Sequence, residues 1–291
     1  MTIAAIDQEN LPPVLRAPSL EMTGKDKDIE ALAEAAPFLA PGTRINVTYL
    51  GNEDLPMRVA ASKAVLSHGF VPVPHVSARR IHNEAELVEF LGALKDANAI
   101  ENIFSVGGDP NPPFGPYPDS LSLIQTGRFQ EYGVKHVSIA GYPEGHPDIP
   151  TDDLWHHLTA KYAALTEAGL DSTVLTQFLF DVDVTVKWIE DVRARGVDSL
   201  IRIGVPGPAG IKRLLAFATR FGVGANAMIV KKYGFSLTNL MGTAGPDKFI
   251  TELSERLTPE HGEVGLHFYA FGGLGATAEW IRDFQVKKSA R

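Results

Sequence analysis

Two carboxylates, Glu21 and Asp109, an amide at Gln177, hydroxyls at Thr48 and Tyr142, and imidazoles at His75 and His146 are the side chains best placed to do chemistry together. Each stands at or near the end of a short apolar, β-rich run. Such a set can hold a polar heterocycle and move protons, but it cannot move a hydride unaided, so a redox role needs an organic cofactor. Each residue also has a plain structural reading. Glu21 could pair with a core arginine, Thr48 is a good strand former, and His75, after Pro74, reads equally as a hydrogen-bonded core histidine. Gln177 sits in T-Q-F-L-F-D, where an otherwise apolar strand would bury an amide that needs partners.

These residues are positioned by a regular alternation of strands and helices around N-I-F-S-V-G-G-D-P at residues 102–110. Ile103, Phe104 and Val106 predict a buried strand, and Gly107 and Gly108 let a ligand approach the main chain. Asp109 then falls at the carboxyl end of a strand, where α/β folds keep their chemistry. Strands are expected at 15–22, 45–50, 71–76, 102–106, 135–139, 173–180, 199–205 and 265–271. Helices are expected at 27–39, 57–68, 84–97, 120–132, 152–168, 184–195, 210–221, 248–257 and 277–284. Eight βα units in 291 residues predict a closed (β/α)8 TIM barrel over residues 15–291, preceded by an arm at 1–14. The glycines at 222, 224, 234, 242 and 245 leave residues 222–247 as short helical pieces.

Bulk properties narrow the function. The net charge of -8 argues against a nucleic-acid surface, which needs a basic face. With no cysteine, thiolate metal sites and cysteine nucleophiles are excluded. None of the nine histidines falls in H-E-x-x-H spacing, and His156 and His157 diverge as helix neighbours, so no metal site is expected. There is no P-loop and no G-x-S-x-G elbow. The start, M-T-I-A-A-I-D-Q-E-N, lacks the basic and apolar regions of a signal peptide, and no run reaches the roughly 20 apolar residues of a membrane span. The expectation is a cytoplasmic protein with a small-molecule substrate and no nucleic-acid or membrane partner; a homo-oligomer is compatible with this reading.

H-V-S-I-A-G-Y-P-E-G-H-P at 136–147 and L-T-Q-F-L-F-D at 175–181 resemble the methylenetetrahydrofolate reductase family. So do S-L-E at 19–21, V-T-Y at 47–49, P-H at 74–75, G-D-P at 108–110 and H-F-Y at 267–269, all in family order. The resemblance implies a (β/α)8 barrel that binds FAD and exchanges hydride between NAD(P)H and the folate one-carbon unit. By position, Glu21 resembles the acid that protonates the folate amine, and Asp109 the carboxylate beside flavin and pterin. Gln177 resembles the amide that binds substrate. Cofactor-binding positions implied are Thr48, Tyr49, His75, Gly107, Gly108, Asp109, Ala140, Tyr142, His146 and Lys161.

The departures bear on the cofactor. Gly107 stands where the family has an arginine before Gly-Asp, and Met22-Thr23-Gly24-Lys25 replace the aromatic residues and prolines after the acid. The helix at 152–168 offers Leu158, Lys161, Ala164 and Leu165 in place of the family's polar and basic grip on the flavin's phosphates and ribose. Ile211 stands at an aromatic position and Gly273 at an arginine. Two other readings therefore stand beside the flavoenzyme: the same folate chemistry without flavin, and a non-catalytic folate-binding partner subunit.

Overall fold

The computed structural model describes residues 6, 8–220 and 243–290. Its centre is a closed barrel of eight parallel strands. In chain order the first seven are β1 (Ser19–Met22), β2 (Arg44–Val47), β3 (Val71–Ser77), β4 (Asn102–Val106), β5 (His136–Gly141), β6 (Asp171–Phe178) and β7 (Leu200–Pro206). The last strand, Val264–Tyr269, pairs with both β7 and β1 and so closes the ring. The (β/α)8 expectation is met.

The side-chain alternation of a strand sorts each one into two faces. Leu20 and Met22 of β1, Ile103 of β4, Val137 and Ile139 of β5, and Leu266 and Phe268 of the last strand join one apolar layer between barrel and helices. The alternate residues point inward. There the apolar cluster shrinks to Val73, Phe104 and Leu175, with Val106, Ala140 and Tyr269 against it. The rest of the interior is polar, which is where the chemistry must lie.

The helices on the outer ring are α1 (Asp26–Ala35), α2 (Leu55–Ser67), α3 (Glu84–Asp96), α4 (Ser120–Ile124), α5 (Arg128–Tyr132), α6 (Thr151–Glu167), α7 (Val182–Ala194) and α8 (Ile211–Arg220), then Asp247–Arg256 and Leu274–Ser289. Side-chain caps fix several starts. Asp54 accepts from Met57 N, Asn83 from Glu86 N, Asp119 from Ser122 N, and Asp181 from Asp183 N and Val184 N. Each such cap is worth about 1 kcal/mol.

Several element boundaries differ from the sequence expectations. The first strand starts at Ser19, not Leu15: Pro13–Leu15 form a 3-10 turn, and Pro18 cannot donate to a ladder. Leu11, Val14 and Leu15 are buried, so the end of the stretch read as an arm packs into the core. The helix expected at 120–132 is two, split at Gly127, whose φ of 72° is left-handed. The second strand ends at Val47, leaving Thr48 and Tyr49 in the loop beyond it. The glycines at 222, 224, 234 and 242, and the side chain of Ile211, lie outside the described residues. Among the described residues no helix is long and apolar enough to cross a membrane.

Candidate active site

Glu21 lies on the inward face of β1, near its carboxyl end, with its side chain 21% exposed. Two histidines, one from the adjoining last strand and one from β3 across β2, approach the same carboxyl oxygen. His75 Nε2 of β3 is 3.8 Å from Glu21 Oε2, and His267 Nε2 of the last strand is 4.0 Å from it. Burial pushes the Glu21 carboxyl up to about 8, with Glu53 adding to the shift. Burial also pushes His75 down to about 3, and His267 falls well below its ordinary range through burial and the nearby Arg202 and His75. At neutral pH these contacts therefore join a neutral acid to two neutral imidazoles, and they are not ion pairs. A carboxylic acid that keeps its proton at pH 7 is a proton donor.

The neighbours hold this group in place. Asn46 Nδ2 lies 3.3 Å from His75 Nε2, and the His75 ring meets Phe104 edge-on at 4.8 Å. Ser19 Oγ lies 2.9 Å from His267 Nδ1. Tyr269, two residues beyond His267 on the same face, donates its hydroxyl to Thr176 O at 3.0 Å. Its ring needs glycine at Gly204, where an added Cβ would stand 2.8 Å from Tyr269 Cε2 and 2.5 Å from Thr176 O. Phe178 and Phe271 pack on Tyr269 at 5.5 and 5.7 Å, forming an aromatic wall beside the acid.

The other sequence-predicted residues lie at varying distances from this group. Tyr142, directly after β5, is half-buried, its hydroxyl raised by burial, and meets His146 edge-on at 5.3 Å. Electrostatic coupling links Tyr142 to Tyr269, and Tyr269 to Glu21, so β5 joins the same mouth. Gln177 is half-buried, and its Oε1 accepts from Phe178 N at 3.1 Å. It stands where the β6–β7 register shifts between Leu175 and Phe178. Such a bulge re-aims side chains, often beside active sites. Thr48 and Ser77 each bury a hydroxyl with no protein partner.

Asp109 is farther out, at the rim. Its side chain is 78% exposed and ion-paired with Arg80 of the β3 loop. An arginine thus reaches Asp109 through space although Gly107 precedes it in sequence. Gly107 O accepts from Arg79 N, and Gly108 adopts φ 91° with Ser77 Oγ 2.2 Å from where its Cβ would be. Tyr49 is not brought to the group: it lies under the Arg58 guanidinium, 3.4 Å from its ring, and edge-on to Phe90.

A second concavity of about 270 Å³ opens beside β5, between Ala140–Gly145 and α6 and α7. Its α6 wall is formed by Thr151, Leu154, Trp155 and Leu158, with Trp155 stacked on Trp188 at 5.9 Å. Lys161 does not line it. Its buried amine is pushed down to about 8 by burial and pulled back up by Asp119 at the start of α4. Among the described residues no group of three or more His, Asp or Glu could hold a metal ion.

Sequence reasoning missed Ser19, Asn46, His267, Tyr269 and Arg80 as site members. The i, i+2 pairs Ser19/Glu21 and His267/Tyr269 were the available signal, since each pair shares one face of a strand.

Comparison with known proteins gives one consistent family. A family model for methylenetetrahydrofolate reductase matches residues 27–278. "Methylenetetrahydrofolate reductase 2" of Saccharomyces cerevisiae is 33% identical over 139 residues, covering 44% of this chain and 22% of that protein. "Methylenetetrahydrofolate reductase (NADH) 1" of Arabidopsis thaliana is 26% identical over 201 residues, 60% of this chain and 31% of that protein. The chain thus spans less than a third of the length of these two relatives. Among solved structures, an uncharacterized protein from Clostridium thermocellum that binds two copies of 5-methyl-5,6,7,8-tetrahydrofolic acid superposes with a TM-score of 0.56. Its identity is 9%, over 92% of this chain and 95% of that one, a likeness of fold.

Proposed function

Because the chain belongs to the methylenetetrahydrofolate reductase family, we propose that it is an oxidoreductase interconverting 5,10-methylenetetrahydrofolate and 5-methyltetrahydrofolate with NAD(P)H and FAD. The observation that carries this reading is Glu21: a carboxyl at a barrel mouth, raised to about 8 and faced by two neutral histidines. In the reductive direction Glu21 gives its proton to the folate amine as the methylene bridge opens to an iminium, the electrophile that accepts hydride. Low solvation keeps the proton on the acid until the amine needs it. The aromatic wall of Phe178 and Tyr269 shields the iminium from water. Gln177, turned by its bulge, binds the pterin edge, and Asp109 meets the folate at the rim, its charge moderated by Arg80.

The residues present suit FAD best at its ring end. The unpartnered hydroxyls of Thr48 and Ser77 and the main chain at Gly107–Gly108, open at Gly107 and crowded by Ser77 at Gly108, offer hydrogen bonds to a flat polar heterocycle. In this reading His75, Ala140, Tyr142 and His146 are further contacts to the cofactor. Toward the phosphates the described lining of the cleft carries no cation, where paired cations usually hold a pyrophosphate, and the Lys161 amine is buried away from it. Bound FAD would supply the two-electron relay that the side chains lack.

The cleft's lining, which carries no cation among the described residues, favours a second reading, in which nicotinamide delivers hydride to the folate directly. A titration of stripped protein with FAD, followed at each point by methyltetrahydrofolate oxidation, separates the two. Activity rising with bound flavin supports the first; full activity without flavin supports the second. No folate turnover under either condition, with folate still bound, would support a non-catalytic folate-binding subunit on the same barrel.

A further inference from the structure

We propose that His267 is a positioning residue for Glu21: Ser19 fixes its tautomer so that a bare Nε2 lone pair faces the carboxyl and holds it as an oriented proton donor. The inference rests on the reading of Glu21 as the acid. Ser19 and His267 are direct partners in the ladder that closes the barrel, so strand register sets their meeting. Ser19 Oγ contacts two groups, Leu266 O at 3.4 Å and His267 Nδ1 at 2.9 Å. A hydroxyl has one hydrogen, and a carbonyl can only accept. With that hydrogen on Leu266 O, Oγ must accept from Nδ1–H. The neutral ring then carries no hydrogen on Nε2.

That Nε2 is buried, has no partner, and lies 4.0 Å from Glu21 Oε2. His75 Nε2 is slightly nearer, but its lone pair already faces the Asn46 amide. The unspent acceptor beside the acid is therefore His267. The distance exceeds a hydrogen bond by about 1 Å, and catalytic contacts often tighten only when substrate binds.

The other charged and titratable groups oppose charge on both partners. Glu53, from the loop after β2, faces Glu21 and favours its neutral form, and Tyr269, on the same strand as His267, has its hydroxyl held protonated by burial and Glu21. Arg202 of β7 and His75 of β3 face His267 and disfavour the imidazolium. A histidine unable to take the proton outright can still accept a hydrogen bond from it. This directs the O–H of Glu21 and keeps its carboxyl neutral, because hydrogen bonding to the neutral form raises an acid's pKa.

The test combines ¹⁵N-histidine NMR with the pH profile of single-turnover methylenetetrahydrofolate reduction, on wild type, Ser19→Ala, His267→Gln and Glu21→Gln. The His267 signals are those missing from His267→Gln. In wild type they should report the Nδ1–H form without titration around neutral pH. In Ser19→Ala, with folding checked by its melting temperature, the Nε2–H form should appear and donate to the carboxylate. The high-pH fall in folate reduction should then move down by about one pH unit, with folate KM unchanged. An Nε2–H form in wild type overturns the proposal. So does an unmoved profile in Ser19→Ala alongside a Glu21→Gln variant that has lost turnover, which would leave the acid reading standing. Normal turnover in Glu21→Gln would remove the acid reading itself.

Discussion

The barrel mouth and the cleft beside α6 are built on opposite terms. At the mouth, polar side chains from four strands converge: Glu21 and Ser19, Asn46, His75 and His267. At the cleft, Leu154, Trp155 and Leu158 present carbon where a dinucleotide tail would call for charge. The mouth is arranged for proton and hydride chemistry on a bound heterocycle. Among the described residues the cleft's lining carries no cation. The two regions rest on different elements, so under the proposed function the reacting end and the hold on a cofactor's tail can be varied separately.

The largest effect expected tests the mouth. Glu21→Gln should lower folate turnover by about 100- to 10,000-fold, the usual contribution of a general acid, while folate still binds. Turnover assays and a folate binding titration check this together. If turnover and binding fell in parallel, the contrast would fail at the mouth, since Glu21 would be a binding group only.

The same substitution should stabilise the fold. Native Glu21 keeps its proton up to about 8, whereas the unfolded chain releases it above about 4.5. The native state binds more protons in that window, so stability declines as pH rises through it. Removing the group should add roughly 3 kcal/mol at pH 7 and almost nothing near pH 4.5. Denaturant unfolding of both proteins at the two pH values measures this. Equal stability at pH 7 would mean that the carboxyl is solvated and ordinary.

A smaller loss is expected at Gln177, whose half-buried amide stands on the β6 bulge. Gln177→Ala should weaken folate binding by about 1–3 kcal/mol, the cost of leaving polar groups unpaired. Unchanged folate affinity by calorimetry would make Gln177 a structural amide that serves only Phe178 N.

The smallest effect belongs to the cleft. Lys161→Ala should leave FAD affinity nearly unchanged, since its buried amine does not line the cleft, and wild type should already lose flavin on purification. Tight stoichiometric FAD in wild type, seen in its absorption spectrum, would show that main-chain donors near Gly107–Gly108 replace the missing cations.

How much of this was legible in the sequence follows physical lines. The βα rhythm was readable because the helix-facing strand residues are almost all apolar, as with Leu20, Ile103 and Ile139. Element ends were not. Pro18 delays β1 and Gly127 divides a helix through backbone constraints that an apolar pattern does not express. Glu21 and His75 could be picked out as polar residues within apolar strands. The bond between Ser19 and His267 could not, because it joins residues 248 positions apart through barrel closure. Arg80 reaching Asp109 is likewise a matter of neighbouring loops. Tyr49 shows the reverse: adjacency to Thr48 in a motif says nothing of direction, and its ring turns outward beneath Arg58.

The most direct test of the mouth as the reacting end is the pH dependence of a single turnover of methylenetetrahydrofolate reduction in the wild-type protein. The rate should hold steady at neutral pH and fall as pH rises through about 8, where Glu21 loses its proton, and that fall should be absent from the residual rate of Glu21→Gln. A rate that climbs through pH 8, or that falls near the ordinary glutamate value of about 4.5, would contradict a neutral Glu21 as the proton donor.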